Sequence, residues 1–338
     1  MPDKKNIAVV AGGYSSEYAI SLKSAEGICS FIDPDKYNIY TVLITEGKWV
    51  VLSSASTDEQ HIPVDKNDFS FTEKGEKIKF DFAYITIHGT PGENGLLQGY
   101  LNMLGIPYSC CDVLAASLSF SKFVCNQYLK NYGIQTAASI WLKSGESVSS
   151  DEVVEKLGLP VFIKPNDGGS SFATTKVTET EKLQEAIALA FGEGREVIIE
   201  QFISGTEITC GCYKIKDKEV VFPITEVVSK NEFFDFDAKY NPASVEEITP
   251  ARISPSLTDK VQKMTSRIYD CLGAKGIIRV DYIITPEGEI KMLEVNTTPG
   301  MTKTSFIPQQ VRAAGLDIRE MMTEIIENEL NKRYDNGK

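Results

Sequence analysis

The stretch Ile277–Gly300, IIRVDYIITPEGEIKMLEVNTTPG, decides how the surrounding chain folds. Apolar and polar residues alternate on both sides of a short Pro-Glu-Gly segment, which predicts two β-strands joined by a tight turn. We expect a two-residue turn at Glu287–Gly288. Pro286 also permits a type I turn with a glycine bulge, which would shift the register by one residue. We favour the unshifted register because it keeps apolar residues opposite apolar partners.

In that register four polar side chains share one face of the hairpin. Asp281 lies opposite Glu294, and Arg279 lies opposite Asn296, because side chains alternate between the two faces of a strand. The other face pairs Val280, Tyr282 and Ile284 with Val295, Leu293 and the aliphatic part of Lys291. This second face is apolar enough to form a core.

Two carboxylates directly opposite each other need a compensating partner. Their Cβ atoms would be ~4.5–5.5 Å apart, and like charges at ~4 Å repel by about 4 kcal/mol at an effective dielectric near 20. Asp281, Glu294 and Asn296 together offer hard oxygen ligands that suit Mg²⁺ and the phosphate oxygens of a substrate. The alternative is a solvated edge hairpin in which Arg279 neutralises Asp281. The hairpin sequence alone does not decide between a metal site and a solvated edge hairpin.

Composition indicates an ordinary globular protein of two or three domains. The chain has 338 residues, 42% hydrophobic and 24% charged, with a net charge of −12. The negative charge and the absence of basic runs argue against nucleic acid and anionic membranes as partners. No apolar run reaches membrane-spanning length, and the N-terminus leads directly into a strand. We therefore expect a cytoplasmic protein.

Cysteine and histidine usage argues against disulfide, zinc and triad chemistry. The seven cysteines include no CxxC pair, and the only histidines are His61 and His88. Buried, reduced thiols are the expected state of the cysteines. Two histidines give little support for a histidine-based catalytic triad.

Residues 1–112 are expected to form an α/β domain with a doubly wound parallel sheet. Strand and helix patterns alternate here, from NIAVVAGG through to NGLLQGYLNMLG. Gly12–Glu17 and His88–Gly89 follow predicted strands, and ligands bind at such carboxyl ends. The missing GxGxxG pattern argues against a dinucleotide site.

Residues 113–203 are expected to form a second domain that binds phosphate. The segment PVFIKPNDGGSSFATTKV reads as strand, glycine-serine loop, strand, with Lys164 just before the loop. Gly168 and Gly169 would let backbone N–H groups approach phosphate oxygens closely. A flexible hairpin tip is the alternative. Glu200 interrupts an apolar strand and is either an exposed edge residue or a ligand contact.

Residues 204–338 are expected to form a third domain that contains the hairpin. Residues 229–250 lack clean periodicity, and we interpret them as a lid, with a plain surface loop as the alternative. A lysine-anchored phosphate loop, an acidic hairpin and a lid together predict a nucleoside triphosphate site with Mg²⁺ outside the P-loop design.

Seven motifs in order resemble the D-alanine–D-alanine ligases of the ATP-grasp superfamily. They are GGYSSEYAISL, HGTPGENGLLQGYL, SFSK, KPNDGGSS, EQFISGTEIT, DAKY and IIRVDY…LEVNTTPGMTKTSF. The resemblance covers nearly the whole chain and implies a three-domain ATP-grasp fold. It also implies ATP-dependent joining of two D-alanines through an acyl phosphate, for peptidoglycan precursor synthesis, by a homodimer.

The resemblance also implies a role for each matching residue. ATP contacts are implied for Lys122, Lys164, Ser170, Ser171, Glu200, Ile203, Glu207, Lys239 and Leu293. Substrate contacts are implied for Glu17, His88, Ser305 and Phe306. Two Mg²⁺ or Mn²⁺ ions are implied at Asp281, Glu294 and Asn296. Arg279 and the Gly300 N–H would face the oxyanion of the tetrahedral intermediate, while Ser170 would link Glu17 to Tyr240 of the lid.

Three positions depart from the family pattern without removing a catalytic group. Ala173 stands where a second glycine is common and would stiffen the phosphate loop. Gln201 replaces a lysine beside adenine, and Phe306 replaces a leucine. Lys239–Tyr240 resembles the dipeptide-forming enzymes rather than those that make a depsipeptide with D-lactate. D-alanyl-D-serine synthesis, a non-catalytic nucleotide-binding module and a nicotinamide oxidoreductase are the remaining alternatives.

Overall fold

Three β-sheets divide the chain in sequence order. The computed structural model describes residues 4–52, 61–167, 173–229 and 245–335. Within these ranges the sheets have seven, four and six strands. Helices pack on the sheets and between them, so the cleft among the three sheets is bordered by strand ends and loops.

The first sheet has a parallel centre and an antiparallel flank. Its strands are β1 (Lys5–Gly12), β2 (Tyr37–Ile44), β3 (Trp49–Val51), β4 (Ile62–Asp65), β5 (Ser70–Glu73), β6 (Glu76–Lys79) and β7 (Phe82–Ile85). The strand order is β6-β5-β4-β3-β2-β1-β7. Strands β2, β1 and β7 are parallel, with α1 (Tyr18–Phe31) connecting β1 to β2.

The predicted parallel sheet needs one correction, since β3 to β6 run antiparallel. The connection from β2 to β3 is only a few residues long, too short for the crossover that a parallel neighbour requires. Three helices follow β7, namely α2 (Leu96–Met103), α3 (Val113–Phe120) and α4 (Lys122–Lys130).

The second sheet is antiparallel throughout. Its elements are β8 (Ser139–Lys143), α5 (Ser150–Leu157), β9 (Val161–Pro165), β10 (Thr175–Val177), α6 (Leu183–Glu193) and β11 (Glu196–Gln201). The strand order is β10-β9-β11-β8. Strands β9 and β10 pair antiparallel, and the predicted phosphate loop lies between them in the sequence.

The third sheet contains the predicted hairpin. Its elements are β12 (Thr206–Ile215), β13 (Lys218–Val221), β14 (Thr225–Ser229), β15 (Val245–Ile248), α7 (Pro255–Leu272), β16 (Ile277–Ile284) and β17 (Ile290–Asn296). Two helices complete the chain, α8 (Phe306–Ala313) and α9 (Ile318–Asp335). Strand β15 pairs with β14, so the end of the predicted lid 229–250 is an edge strand. Residues 230–244 lie outside the described ranges.

Buried apolar clusters tie the three sheets together. The back of the third sheet packs against α7 and also against α3 and α4, which come from an earlier part of the chain. Helix α9 packs on the first sheet, where the Tyr37 hydroxyl donates to Glu327 Oε1 at 2.5 Å. All seven cysteines are free thiols, as predicted. No described helix is long and apolar enough to cross a membrane.

The hairpin β16–β17 keeps the predicted register only near its open end. Arg279 pairs with Asn296 and Asp281 with Glu294, as expected, but Tyr282 pairs with Met292. The turn explains the difference, because the Gly288 N–H donates to Thr285 O and Gly288 has a φ of 81°. The predicted two-residue turn is therefore wrong, and the left-handed glycine turn forms instead.

A bulge at Leu293 restores the predicted register further along. Met292 and Val295 are both buried in the core, so the extra residue turns Leu293 away from the core and places it beside Glu294. Leu293 is partly exposed. Its predicted place on the core face was wrong, and the bulge directs it toward the cleft, as bulges near functional sites commonly do.

Candidate functional site

One face of the third sheet carries the charged groups that the sequence predicted. Arg279, Asp281, Glu294 and Asn296 project from it, while Val280 and Tyr282 point into the core behind it. The alternation of strand side chains produces this separation. The predicted constellation is therefore assembled on a regular, well-packed sheet.

Asp281 is held by three neighbouring side chains. Arg279 donates to it through Nε at 2.9 Å and Nη2 at 2.8 Å. Thr209 on β12 donates through its hydroxyl at 2.5 Å, and Asn296 through Nδ2 at 3.1 Å. Burial lowers the pKa of Arg279, but Asp281 and Glu294 outweigh this and raise it overall. The side chains of Arg279 and Asp281 are 14% and 13% exposed, so this is not a solvated edge pair.

The oxygen donors of this face fit a hard divalent cation. Asp281 and Glu294 supply carboxylates across one strand pair, and Asn296 supplies an amide two residues further on. Within the described part of the chain no group of three His, Cys, Asp or Glu side chains is arranged around a metal position. A set of two carboxylates and an amide relies on waters and phosphate oxygens to complete the coordination of Mg²⁺.

Two lysines approach this face from the second sheet and α4. Lys122 Nζ lies 4.0 Å from Glu294 Oε2, and Lys164 Nζ lies 2.6 Å from Glu200 Oε2. Burial lowers the pKa of Lys164, while Glu200 and Glu294 raise it, and the net shift is upward. Lys164 therefore stays charged beside the acidic face, and the ammonium groups of both lysines are placed where they can bind phosphate oxygens.

Glu200 is buried rather than at an exposed edge, so the ligand-contact interpretation is favoured. It is 6% exposed, and its Oε1 accepts a hydrogen bond from Asn126 Nδ2 at 3.2 Å. Ile203 lies in the loop between β11 and β12, and Glu207 lies on β12. Both are partly exposed, and Gln201 is exposed at the end of β11. The resemblance implies adenine and ribose contacts for Glu200, Ile203 and Glu207.

Asn166 aligns the two lysines, although the sequence analysis gave it no role. Its backbone O accepts from the Lys122 N–H at 3.1 Å, and its Oδ1 accepts from the Phe123 N–H at 2.8 Å. Its Nδ2 donates to Ser121 Oγ and to Glu196 Oε2. Asn166 thus fastens the start of α4 to the end of β9. The sequence signal that could have identified Asn166 is its position two residues after Lys164 in the KPN segment.

The N-terminal sheet contributes Glu17 and His88 to the same cleft. Both are buried, and His88 Nε2 lies 3.4 Å from Ser24 Oγ. Burial lowers the pKa of His88; Glu17 opposes this shift, and Arg279 adds to it. His88 is therefore neutral at pH 7 and lies within electrostatic range of Arg279 on the third sheet. The structure thus brings together residues that are far apart in sequence.

Glu93 is a partly buried acid that no sequence pattern singled out. Its Oε2 accepts from the Gly89 N–H at 2.7 Å, closing the loop that begins at His88. Burial, together with Glu17 and Glu294, raises the pKa of Glu93 to about 8. The HGTPGENG motif contained this residue, but no pattern distinguished its carboxylate from a surface acid.

The segment after β17 forms the remaining wall of the cleft. Ser305 Oγ accepts from the Thr302 N–H at 3.1 Å, and a Cβ on Gly300 would lie 3.1 Å from that Oγ. The Arg279 guanidinium lies 5.3 Å from the centre of the Phe306 ring, in cation–π geometry. The predicted residues Gly300 and Ser305 are therefore close to each other, and the neighbouring Phe306 contacts Arg279.

Four predicted site residues lie outside the described ranges: Ser170, Ser171, Lys239 and Tyr240. Gly168 and Gly169 of the predicted phosphate loop also lie outside them. Ala173, at the described edge of that loop, has a φ of 51°. This left-handed conformation is unfavourable for alanine, which fits the glycine that is common there.

Comparison with known proteins gives two family matches. Residues 6–111 match the D-Ala D-Ala ligase N-terminus, and residues 128–327 match the D-Ala D-Ala ligase C-terminus. A D-alanine–D-alanine ligase from Parabacteroides distasonis is 66% identical over 330 residues. That alignment covers 98% of this chain and 99% of the relative.

Solved structures of the same overall shape include two ligases. The VanG D-Ala:D-Ser ligase from Enterococcus faecalis is 34% identical with a TM-score of 0.85, covering 97% of this chain and 100% of that one. A D-alanine–D-alanine ligase from Bacillus anthracis, complexed with ATP, is 32% identical with a TM-score of 0.77. It covers 99% of this chain and 100% of its own.

Proposed function

Because the chain belongs to the D-alanine–D-alanine ligase family, we propose that it joins two D-alanines at the expense of ATP, for peptidoglycan precursor synthesis. The observation that carries this proposal is the convergence of Arg279, the acidic face and two lysines on one cleft. A carboxylate is a poor electrophile, so it must be activated before an amine can attack it. ATP supplies that activation as an acyl phosphate.

The reaction proceeds in two balanced steps. A carboxylate oxygen of the first D-alanine attacks the γ-phosphorus of ATP, and ADP leaves. The deprotonated amine of the second D-alanine then attacks the acyl carbon, and inorganic phosphate leaves. Lys122 and Lys164 hold the phosphates, and Arg279 with the Gly300 N–H stabilises the oxyanion that develops at the acyl carbon.

Substrate binding follows from the walls of the cleft. Glu17 carries the negative charge that an ammonium group requires, and neutral His88 lines the same pocket. Ser305 and the start of α8 face the second substrate. The Phe306 ring, packed on Arg279, limits the space there and favours a small side chain. Ser170 and Tyr240 remain predicted to link the lid to Glu17.

Adenine and ribose are proposed to bind along β11 and β12, against Glu200, Ile203, Glu207 and Leu293. Ser171 and Lys239 are proposed to reach the phosphates. Asp281, Glu294 and Asn296 would hold two Mg²⁺ or Mn²⁺ ions. When bound, these ions neutralise phosphate charge during phosphoryl transfer.

The predicted domain ranges 1–112, 113–203 and 204–338 are proposed to fold as three domains. Each of the three sheets lies within one range, and the first family match ends at residue 111. Helices α3 and α4 nevertheless pack on the third sheet. We further propose a cytoplasmic location, where ATP and D-alanine are both available.

A homodimer is proposed through an apolar patch formed by α2 and α3. Met103 and Leu114 are 82% and 74% exposed, and Leu96 and Val113 are also exposed. Gly99 lies between Leu96 and Met103 on the same helical face, and a Cβ added to it would lie 3.8 Å from Val113 Cγ2. Met103→Glu should convert a dimer into monomers in sedimentation velocity. A parent protein that sediments as a monomer at micromolar concentration would refute this interface.

The experiment that tests the activity is ADP release measured with D-alanine alone, D-alanine plus D-lactate, and D-alanine plus D-serine. We expect ADP and D-alanyl-D-alanine in equal amounts with D-alanine alone, and little mixed product. A preference for D-lactate or D-serine would assign the chain to another ligase specificity. ATP turnover that is independent of any D-amino acid would refute the proposal.

A further inference from the structure

The carboxylate of Asp281 has more hydrogen-bond donors than an ordinary surface acid. Thr209 Oγ1 and Arg279 Nε approach Oδ1, while Arg279 Nη2 and Asn296 Nδ2 approach Oδ2. An ionised carboxylate has about four lone-pair positions, so each is matched by a donor. Asp281 can ligate a cation only if at least one of these donors moves away.

The four donors are not equally able to move. Arg279 also has Glu294 and Glu93 within electrostatic range, and the amide of Asn296 can present its oxygen instead of its nitrogen. Thr209 differs because it is 2% exposed and lies on β12 directly opposite Asp281. Its other near acceptor, Val280 O, is 3.5 Å away, against 2.5 Å for Asp281 Oδ1.

Gln310 fixes the backbone on which Thr209 stands. This fully buried side chain donates from Nε2 to Thr209 O at 3.0 Å and accepts from the Gly211 N–H at 3.0 Å. It also donates to Thr225 Oγ1 at 3.1 Å. Gln310 belongs to α8, whose first residue, Phe306, packs on Arg279. The wall of the second-substrate pocket is thus fastened to the strand that carries Thr209.

We propose that Thr209 is a positioning residue that fixes the carboxylate of Asp281 while Arg279 and Asn296 exchange partners. This inference rests on the proposed function, since it gives Asp281 the role of a metal ligand. Thr209 would keep Oδ1 in place, so that the remaining lone pairs of Asp281 face the cation. Arg279, released from Asp281, would then be available to the oxyanion. Through its hydrogen bond to the Thr209 backbone, Gln310 links the position of α8 to the contact between Thr209 and Asp281.

The test compares Thr209→Val with Thr265→Val. Thr265 is also fully buried, and its hydroxyl contacts Tyr282 on the core side of the same strand β16. The control therefore removes one buried hydroxyl from the other side of the sheet. Binding of Mn²⁺ in the presence of a non-hydrolysable ATP analogue is measured by electron paramagnetic resonance, together with kcat and KM for D-alanine.

We expect Thr209→Val to weaken Mn²⁺ binding by about tenfold, the usual scale for groups that orient metal ligands. Its kcat should fall while KM for D-alanine changes little, and Thr209→Ser should restore both properties. Thr265→Val should retain parental Mn²⁺ binding. Equal losses in the two valine variants, or unchanged Mn²⁺ binding in Thr209→Val, would overturn the inference. If Thr209→Val does not fold, Thr209→Ala is compared with Thr265→Val in the same measurements.

A crystal structure of Thr209→Val separates this inference from the proposed function. With Mn²⁺ and a non-hydrolysable ATP analogue bound, the inference predicts that the Asp281 carboxylate of this variant leaves the rotamer it has in the parent, because Arg279 and Asn296 no longer hold it. An unmoved carboxylate would overturn the inference even if the enzyme is a ligase. Absence of ADP formation by the parent would instead refute the proposed function, and the crystal structure would still decide whether Thr209 positions Asp281.

Discussion

The third sheet and the N-terminal loops both bring acids into the cleft, yet they hold them in different ways. On the sheet, Asp281 is compensated by Arg279 at bidentate distance. In the loops, burial and neighbouring acids raise the pKa of Glu93 to about 8, and its carboxylate accepts a hydrogen bond from the Gly89 N–H. The sheet pairs opposite charges locally, whereas the protonation of the loop acid depends on groups from other domains.

That difference has a functional consequence. The charge pair between Arg279 and Asp281 lies on one strand, so it keeps its geometry when the sheets move relative to one another, because both partners belong to one hydrogen-bonded sheet. The field at Glu93 changes with the distance to Lys122 and Glu294, which come from other parts of the fold. We therefore expect the sheet to set the catalytic geometry and the loops to respond to closure of the cleft.

The largest effect is expected for Arg279→Lys. Lysine cannot reproduce the bidentate contact with Asp281 or the directed donor for an oxyanion, so kcat should fall by roughly 10²–10³-fold. Steady-state ADP release measures the change. Arg252→Lys is the matched control, because Arg252 makes a similar bidentate pair with Glu226 on the opposite face of the sheet. Equal losses in both variants would mean that the pairing is only structural.

The next effect is expected for Glu294→Gln. Losing one of two opposed carboxylates should slow turnover at least tenfold, which is the usual effect of a weakened metal site. It should also raise the Mg²⁺ concentration needed for half-maximal activity. Titration of activity against Mg²⁺ measures both. Glu289→Gln, on the exposed turn of the same hairpin, should leave the titration unchanged. An unchanged Mg²⁺ requirement in Glu294→Gln would count against the metal assignment.

A pH-dependent effect is expected for Glu93→Gln. The pKa of Glu93 is raised in the folded state, so its contribution to stability is present at low pH and is lost as pH rises toward 8. Glutamine keeps an acceptor for the Gly89 N–H but carries no charge. The variant should therefore gain stability relative to the parent between pH 5 and pH 8.5, on the order of a few kcal/mol. Urea unfolding at both pH values gives the difference, and a gain that does not depend on pH would contradict this account.

The smallest effect is expected for Ala173→Gly. Glycine removes the strain of a left-handed alanine, so stability should rise by roughly 0.5–1 kcal/mol. Lys74→Gly is the matched control, since Lys74 has the same φ of 51° in the turn between β5 and β6. Both variants should be stabilised, but only Ala173→Gly should change KM for ATP. An identical KM in all three proteins would show that the loop tolerates alanine without consequence.

Periodicity was sufficient to predict the sheet face but not the loops. Alternation along β16 and β17 placed Arg279, Asp281 and Glu294 correctly because one face had to be apolar. The turn at Gly288 and the bulge at Leu293 escaped prediction, since both depend on backbone angles that single residues only weakly dictate. The one-residue shifts at the turn and at the bulge cancel. Arg279 therefore pairs with Asn296, and Asp281 with Glu294, in the expected register.

Contacts between domains were beyond the reach of the sequence. Asn166 joins the start of α4 to the end of β9 through backbone and side-chain hydrogen bonds that no spacing rule encodes. The pKa of Glu93 is raised by burial and by Glu17 and Glu294, which lie on two distant segments of the chain. The antiparallel flank of the first sheet was missed because its strands are short and carry weak hydrophobic patterns. Local sequence patterns therefore predicted strands and helices, whereas the contacts among these elements are visible only in the folded structure.

The most direct test of the central claim is a crystal structure with Mn²⁺ and a non-hydrolysable ATP analogue, using anomalous scattering to locate the metal. The account predicts anomalous peaks within coordination distance of Asp281, Glu294 and Asn296, with the phosphates reaching Lys122 and Lys164. Bound nucleotide with no anomalous peak beside Asp281 and Glu294 would contradict it.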